Sequence, residues 1–283
     1  MTADTGRMPS PSRTVLLTGA AGGIGRVMTR ALLADGHKVA AVDRDQGLLD
    51  QLGVLDSGAG RLYPVAADLA TEPGCRQAIE AACRRFGSID AVINNAGIGM
   101  CSIRPDAEAR HPGIEELTPE IWDRFFVIFV RAPVMLTRLA LPRMRTGGFG
   151  RIVNNTTSYR TMLRVLPYGA AKAALESMSA VWAKELEGSA ITVNVLVPGG
   201  PTDTPMISDQ SGWPREKMLR PEIMGPPTAW LISEASTDFN GQHITAARWD
   251  ISLPPAEAAR RASRPIGWPE LAADAVWLTG NTG

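Results

Sequence analysis

The chain reads as an α/β protein in which one doubly wound parallel sheet carries helices on both faces. Three observations predict this. Apolar runs of strand length alternate with amphipathic stretches of helix length. The strands are near-continuously apolar, as strands buried on both faces are. A glycine cluster also sits between the first strand and the first helix, where phosphate-binding folds place their turn.

In chain order the strands are expected at 14–20 (TVLLTGA), 38–43 (KVAAVD), 61–68 (RLYPVAAD), 90–97 (DAVINNAG), 151–157 (RIVNNTT), 191–197 (ITVNVLV) and 243–249 (HITAARW). Helices are expected over 23–35, 72–86, 119–145, 167–187 and 226–235. The sum is a single-domain sheet of about seven strands. A flexible N-terminal tail is expected over 1–13, the main α/β domain over 14–250, and a C-terminal extension over 251–283. Three stretches break the alternation: 99–118, the Pro-, Met- and Trp-bearing 199–225, and the extension. Long loops at the carboxyl ends of parallel strands are where such sheets bind ligands.

Composition narrows the function classes. The 283 residues are 45% hydrophobic and 20% charged, which is globular and not disordered. Lys+Arg and Asp+Glu are equal at 29 each and interspersed, so neither a nucleic acid nor an anionic membrane finds electrostatic support. Residues 1–13 have no apolar core and do not read as a signal peptide. No uninterrupted apolar run of spanning length is evident, so no membrane span is expected. Three cysteines read as reduced thiols in a cytoplasmic protein, and three dispersed histidines give no expectation of a metal site.

In LLTGAAGGIGRVMTRALLADG, the glycines Gly19, Gly23 and Gly25 carry the signal, with Gly22 and Ile24 in the same turn. Such glycines allow a tight turn, close backbone approach to a pyrophosphate, and close helix–strand packing. The helix amino terminus then offers free N–H groups to phosphate. Asp43 ends the second strand 24 positions after Gly19. A carboxylate there accepts both ribose hydroxyls of NAD and repels the 2′-phosphate of NADP, and Arg44 beside it softens the preference. NAD is therefore expected over NADP.

The spacing TG-x-x-x-G-x-G, together with AADLA (66–70), NNAG (94–97), Tyr168-x-x-x-Lys172 and VPGG (197–200), resembles the short-chain dehydrogenase/reductase family over roughly residues 14 to 250. The resemblance implies a Rossmann-like fold. It implies that Asp68 and Leu69 flank the adenine, that Asn95, Ala96 and Gly97 line the cofactor, and that Pro198 and Gly199 meet the nicotinamide. It makes Tyr168 the proton-exchanging group and Lys172 its partner, which also holds the nicotinamide ribose. Free tyrosine titrates near 10, and the lysine charge is expected to favour phenolate.

Two departures from the family pattern stand out. The hydroxyl that polarises the substrate oxygen falls to Thr157 or Ser158, on a shortened loop that puts Thr157 only eleven positions before Tyr168. Phe129 stands where the family usually has an asparagine, four before Pro133. Proline lacks an N–H, so in a regular helix the Phe129 carbonyl is left free, in the segment where the family holds a relay water.

The expected activity is that of an NAD-linked alcohol dehydrogenase or ketone reductase. The alternative is a cofactor-binding protein with a non-redox or regulatory role. Met162, Leu163, Leu166, Met206, Trp213 and Met218 on the surrounding loops suggest a small apolar or aromatic substrate. Apolar residues on more than one face of helices 119–145 and 167–187 suggest a homodimer or homotetramer.

Overall fold

The computed structural model describes residues 11–272, apart from Ser57. Nearly all of the expected N-terminal tail and the last part of the C-terminal extension lie outside the described residues. The strands are β1 (Thr14–Thr18), β2 (Lys38–Asp43), β3 (Leu62–Ala66), β4 (Ala91–Asn94), β5 (Gly150–Asn154), β6 (Ile191–Val197), β7 (Gln242–Thr245) and β8 (Ser263–Pro265). The helices are α1 (Gly23–Ala34), α2 (Gln46–Asp50), α3 (Glu72–Phe86), α4 (Pro119–Phe126), α5 (Ala132–Gly147), α6 (Tyr159–Met162), α7 (Tyr168–Glu185), α8 (Gly225–Ile232), α9 (Pro255–Ala262) and α10 (Pro269–Ala272).

Among the described residues the sheet has eight strands in the order β3-β2-β1-β4-β5-β6-β7-β8. Every pairing is parallel except β7 with β8. The order reverses between β1 and β4, and a crevice at the carboxyl ends of the strands opens at such a reversal. Successive strand residues face opposite layers. Val15 and Leu17 therefore join the core under α1 and α8, while Leu16 joins the one under α3 and α5.

The strand beyond the expected set, β8, comes from the extension, with His243 of β7 opposite Arg264. A second difference lies in the helix expected over 119–145. It starts on Pro119 behind a Thr118 cap whose hydroxyl accepts from the Ile121 N–H. It is then interrupted by a π-helical turn, Val127–Arg131, in which the Ala132 N–H reaches back five residues to the Val127 carbonyl. Pro133 cannot donate, and the wider turn accommodates that missing donor. Taken through the turn, Pro119–Gly147 is long and apolar enough by composition to cross a membrane, which the residue pattern alone did not suggest. In this fold the run packs against α3, α7, β4 and β5, as an apolar core helix does.

The stretch over 199–225 is also more ordered than an irregular loop. Arg215 binds Asp203 at 2.9 Å and Asp209 at 2.6 Å, and Arg220 binds Asp203 at 3.0 Å. This brings Thr204 and Met206 back over the crevice, within reach of the positions a Cβ would take at Gly23 and Gly97.

Candidate active site

The glycine turn is shaped by the absence of side chains. Gly19 has φ +63°, and a methyl on it would lie 2.8 Å from the Ala96 Cα. A methyl on Gly25 would lie 2.0 Å from the Gly19 carbonyl oxygen. Only glycine serves at either position. Helix α1 begins on Gly23 with Gly22 as its cap and no side-chain hydrogen bond to its first turn. Its leading N–H groups therefore face the crevice as an anion-binding end. Ile24 packs against the α1-side core. Asp43 accepts from the Ala21 N–H at 3.2 Å through one oxygen and from the Arg44 N–H at 2.8 Å through the other. The carboxylate is thereby aimed at the turn, with Arg44 exposed beside it.

The ends of β1, β4 and β5 are laced by amide side chains. The Thr18 hydroxyl accepts from the Asn95 and Ala96 N–H groups, both at 2.9 Å. Asn95 donates to the carbonyls of Thr18 at 3.0 Å and Gly19 at 3.2 Å, and accepts from Asn155 at 2.9 Å. One layer deeper, Asn94 donates to Asn154, and Asn154 to the Ser179 hydroxyl, each at 2.8 Å. Asn95 thus braces the glycine turn from behind. At the other strand exits, Asp68 is exposed and takes the Ala70 N–H at 3.0 Å, while the Leu69 side chain is buried in the α3-side core. Only the backbone of Leu69 is left to face a ligand. The Pro198 carbonyl takes the Ala247 N–H at 3.0 Å, and Gly199 is exposed beyond it.

Tyr168 opens α7, and Lys172 follows one turn later on the same face. The Lys172 ammonium donates to the Asn155 carbonyl. It lies 4.3 Å from the centre of the Phe129 ring and 5.8 Å from that of Tyr168. Phe129 meets Tyr168 edge-on at 5.2 Å, and its Cε1 would be 2.5 Å from a methyl on Gly97. The π turn presents the Phe129 ring itself to the lysine.

Burial pulls Lys172 down to about 7. Tyr168 is half-buried, and burial pushes its hydroxyl up to about 12 against a downward pull from the neighbouring Thr157 side chain. In the protein chain alone the tyrosine is held neutral, the opposite of the expected drift toward phenolate. The reason is that desolvation penalises both charges of the pair.

A family model for short chain dehydrogenase matches residues 13–215. The chain belongs to the short-chain dehydrogenase family. It is 28% identical to the 3-oxoacyl-[acyl-carrier-protein] reductase of Thermotoga maritima over 244 residues, covering 82% of this chain and 95% of that protein. Among solved structures it resembles a 3-ketoacyl-(acyl-carrier-protein) reductase from Brucella melitensis complexed with NADH, with 28% identity and a TM-score of 0.69 over 81% of this chain and 93% of that one. It also resembles the L-sorbose reductase of Gluconobacter frateurii complexed with NADPH and L-sorbose, with 27% identity and a TM-score of 0.70 over 82% and 94%.

In this short-chain dehydrogenase the two candidate hydroxyls separate. Thr157 is the one whose side chain pulls down on the Tyr168 hydroxyl. Ser158 instead caps α6, with its Oγ accepting from the Thr161 N–H at 3.2 Å and lying 2.9 Å from the Thr161 hydroxyl. Of the expected substrate-side residues, Met206 stands against Gly97 and Gly99. Met162 and Met218 are buried, whereas Leu163 and Trp213 are exposed, and Leu166 is half-buried. Asn155 was not singled out from sequence, although it links Asn95 to Lys172. Its signal was the doubled Asn-Asn pair: β4 and β5 end on Asn94 and Asn154 in register, each followed by a second asparagine.

Proposed function

We propose that this short-chain dehydrogenase is an NAD(H)-preferring oxidoreductase that interconverts a secondary alcohol and a ketone, with Tyr168 as general acid and base. The observation that carries the reading is the convergence of Tyr168, Thr157 and Lys172 beside the glycine cradle. The cradle fits a dinucleotide: its glycines present no side chain, the first turn of α1 has no side-chain cap, and Asp43 beside the turn is the group to pair with ribose hydroxyls. When bound, the nicotinamide supplies or removes the hydride at the carbinol carbon. In reduction the Tyr168 hydroxyl gives its proton to the substrate oxygen, and in oxidation the phenolate takes one back. Thr157 donates a hydrogen bond that orients that oxygen. The Lys172 cation lowers the cost of the tyrosinate. Asp68, the Leu69 backbone, Ala96 and Gly97 line the dinucleotide path, and Pro198 and Gly199 its nicotinamide end. The substrate is a small molecule, apolar or aromatic near Met206. The working form is a homodimer or homotetramer, and the location cytoplasmic.

A second reading, nicotinamide binding without alcohol turnover, is favoured by one feature: an aromatic ring, not a polar group, covers Lys172. One experiment separates the two. Nicotinamide fluorescence reports binding, and nicotinamide absorbance reports turnover over a panel of ketones and alcohols. Binding with turnover that Tyr168→Phe removes supports the first reading. Binding with no turnover on any member supports the second.

A further inference from the structure

Glu176 lies on α7 one turn beyond Lys172, and its side chain is fully buried. The Thr156 hydroxyl donates to one carboxylate oxygen at 2.7 Å. On the other oxygen converge His243 Nδ1 at 2.8 Å, the Tyr159 hydroxyl at 3.0 Å and the Gly267 N–H at 3.2 Å. Burial works to raise this carboxyl, but the His243 hydrogen bond and charge, with Thr156 and Gly267, outweigh it and hold the group below its ordinary range.

The links on either side of this carboxylate define its role. Asn155, Thr156 and Thr157 are consecutive at the exit of β5. The Asn155 carbonyl takes the Lys172 ammonium and Thr156 binds Glu176, while Thr157 neighbours Tyr168. Each of these three residues therefore faces a different turn of α7, and two are fastened to it. On the far side, Gly267 offers Glu176 its N–H, and its carbonyl lies 2.7 Å from the Tyr159 hydroxyl. The Tyr159 ring is packed by His243 at 5.2 Å, Trp268 at 5.5 Å and the Arg264 guanidinium at 3.9 Å. An apolar side chain would fill this space without desolvating a charge. What the carboxylate adds is direction: it fixes the strand exit, the helix and the C-terminal segment relative to one another.

We propose that Glu176 is a positioning residue for the dehydrogenase site, and that it recruits the C-terminal segment Ser263–Trp268 into setting the geometry of Tyr168 and Lys172. The proposal rests on the dehydrogenase function proposed for that site. Part of the extension thereby acquires a role, because β8 and Gly267 complete the support of a helix whose other end of the linkage carries the chemistry.

The test uses the full-length chain with Glu176→Gln, Tyr159→Phe, Thr156→Val and Thr156→Ser. Hydrogen exchange of peptides spanning 155–158 and 263–268 needs no substrate. Kinetics and NADH fluorescence add the functional arm. In Glu176→Gln, both peptides are expected to exchange faster, and kcat to fall by about tenfold or more, while the NADH dissociation constant stays within about twofold. Thr156→Val should lower kcat and Thr156→Ser should restore it, which a loss of stability alone would not reproduce. Unchanged kcat in Glu176→Gln, or exchange at 263–268 that ignores Glu176, would overturn the proposal. If Glu176→Gln does not fold, Tyr159→Phe must still speed exchange at 155–158, or the linkage is absent. A wild type that binds NADH yet turns over nothing removes the dehydrogenase reading, while the exchange arm still decides the linkage.

Discussion

The two halves of the candidate site are held by opposite means. Around β1, α1 and β4, the shape comes from atoms that are missing: Gly19 and Gly25 lie against backbone with no room for a methyl. Around β5 and α7, the shape comes from side chains that are present and largely buried, with Lys172 on the Asn155 carbonyl, Thr156 on Glu176 and Thr157 beside Tyr168. The cradle should therefore fail when atoms are added, and the Tyr168–Lys172 half when polar atoms are removed. The first failure is steric and insensitive to pH. The second is electrostatic and follows the protonation of the pair.

The largest expected effect sharpens this contrast at its chemical end. Tyr168→Phe should lower kcat by about a thousandfold, in the range of lost general acid–base catalysis, with NADH affinity nearly unchanged. Normal turnover in this variant would remove Tyr168 from the mechanism. Next, Gly25→Ala breaks the cradle by one methyl group. With 2.0 Å to the Gly19 oxygen, the turn has to move, and NADH affinity should fall by about a hundredfold, with stability down by about 1–3 kcal/mol. Isothermal titration and thermal melts at several pH values check both, and the deficit should not vary with pH.

Lys172→Met tests the opposite behaviour. Burial depresses the folded-state value of Lys172 to about 7, so between that value and the unfolded value near 10.5 the unfolded chain binds more protons. Wild-type stability from this group therefore rises with pH across that window, and the full penalty of charging it is borne below about 7. The variant should be inactive yet more stable than wild type, by on the order of 2 kcal/mol at neutral pH. That gain should shrink toward zero as pH approaches the unfolded value. Denaturant melts from pH 6 to 10 measure it, and a difference that does not vary with pH would show that Lys172 titrates normally.

A smaller effect is expected at Asp43. Wild type should bind NAD more tightly than NADP by about tenfold, and Asp43→Ala should erase that margin. Tighter NADP binding by the wild type would reverse the assignment. The smallest effect is at Phe129. Phe129→Leu keeps apolar volume but removes the ring face 4.3 Å from the ammonium, a contact worth about 1 kcal/mol. The limb of the kcat–pH profile that requires charged Lys172 should shift to lower pH by under about one unit. A stationary limb would mean that the ring only packs.

Much of the cradle was legible in the residue order, because its requirement is local. A turn that must pass backbone against backbone needs glycine at particular offsets, and an acidic residue at the end of β2 is a matter of counting along the chain. The Tyr168–Lys172 pair was legible for the same reason, since four-residue spacing on a helix is local. Ser158 against Thr157 was not: both follow the same strand, and only the turn into α6 decides that Ser158 caps a helix while Thr157 is left beside the tyrosine. The π turn was half legible, because Pro133 announced a missing donor but not which hydrogen bonds would replace it.

The sequence by itself thus determined the alternating parallel sheet, the glycine turn, Asp43 and the spacing of the tyrosine and lysine, since each follows from periodicity or from a steric rule within one element. Only the tertiary structure decided what surrounds them. Asn155 links Asn95 to Lys172, Phe129 covers the ammonium, and Gly267, 91 residues beyond Glu176, closes a buried carboxylate network that also draws on β7. These partners are brought together by the order in which the strands pair, and burial then moves Tyr168 and Lys172 away from their ordinary titration ranges. Desolvation depends on everything packed around a group, and no spacing along the chain encodes it.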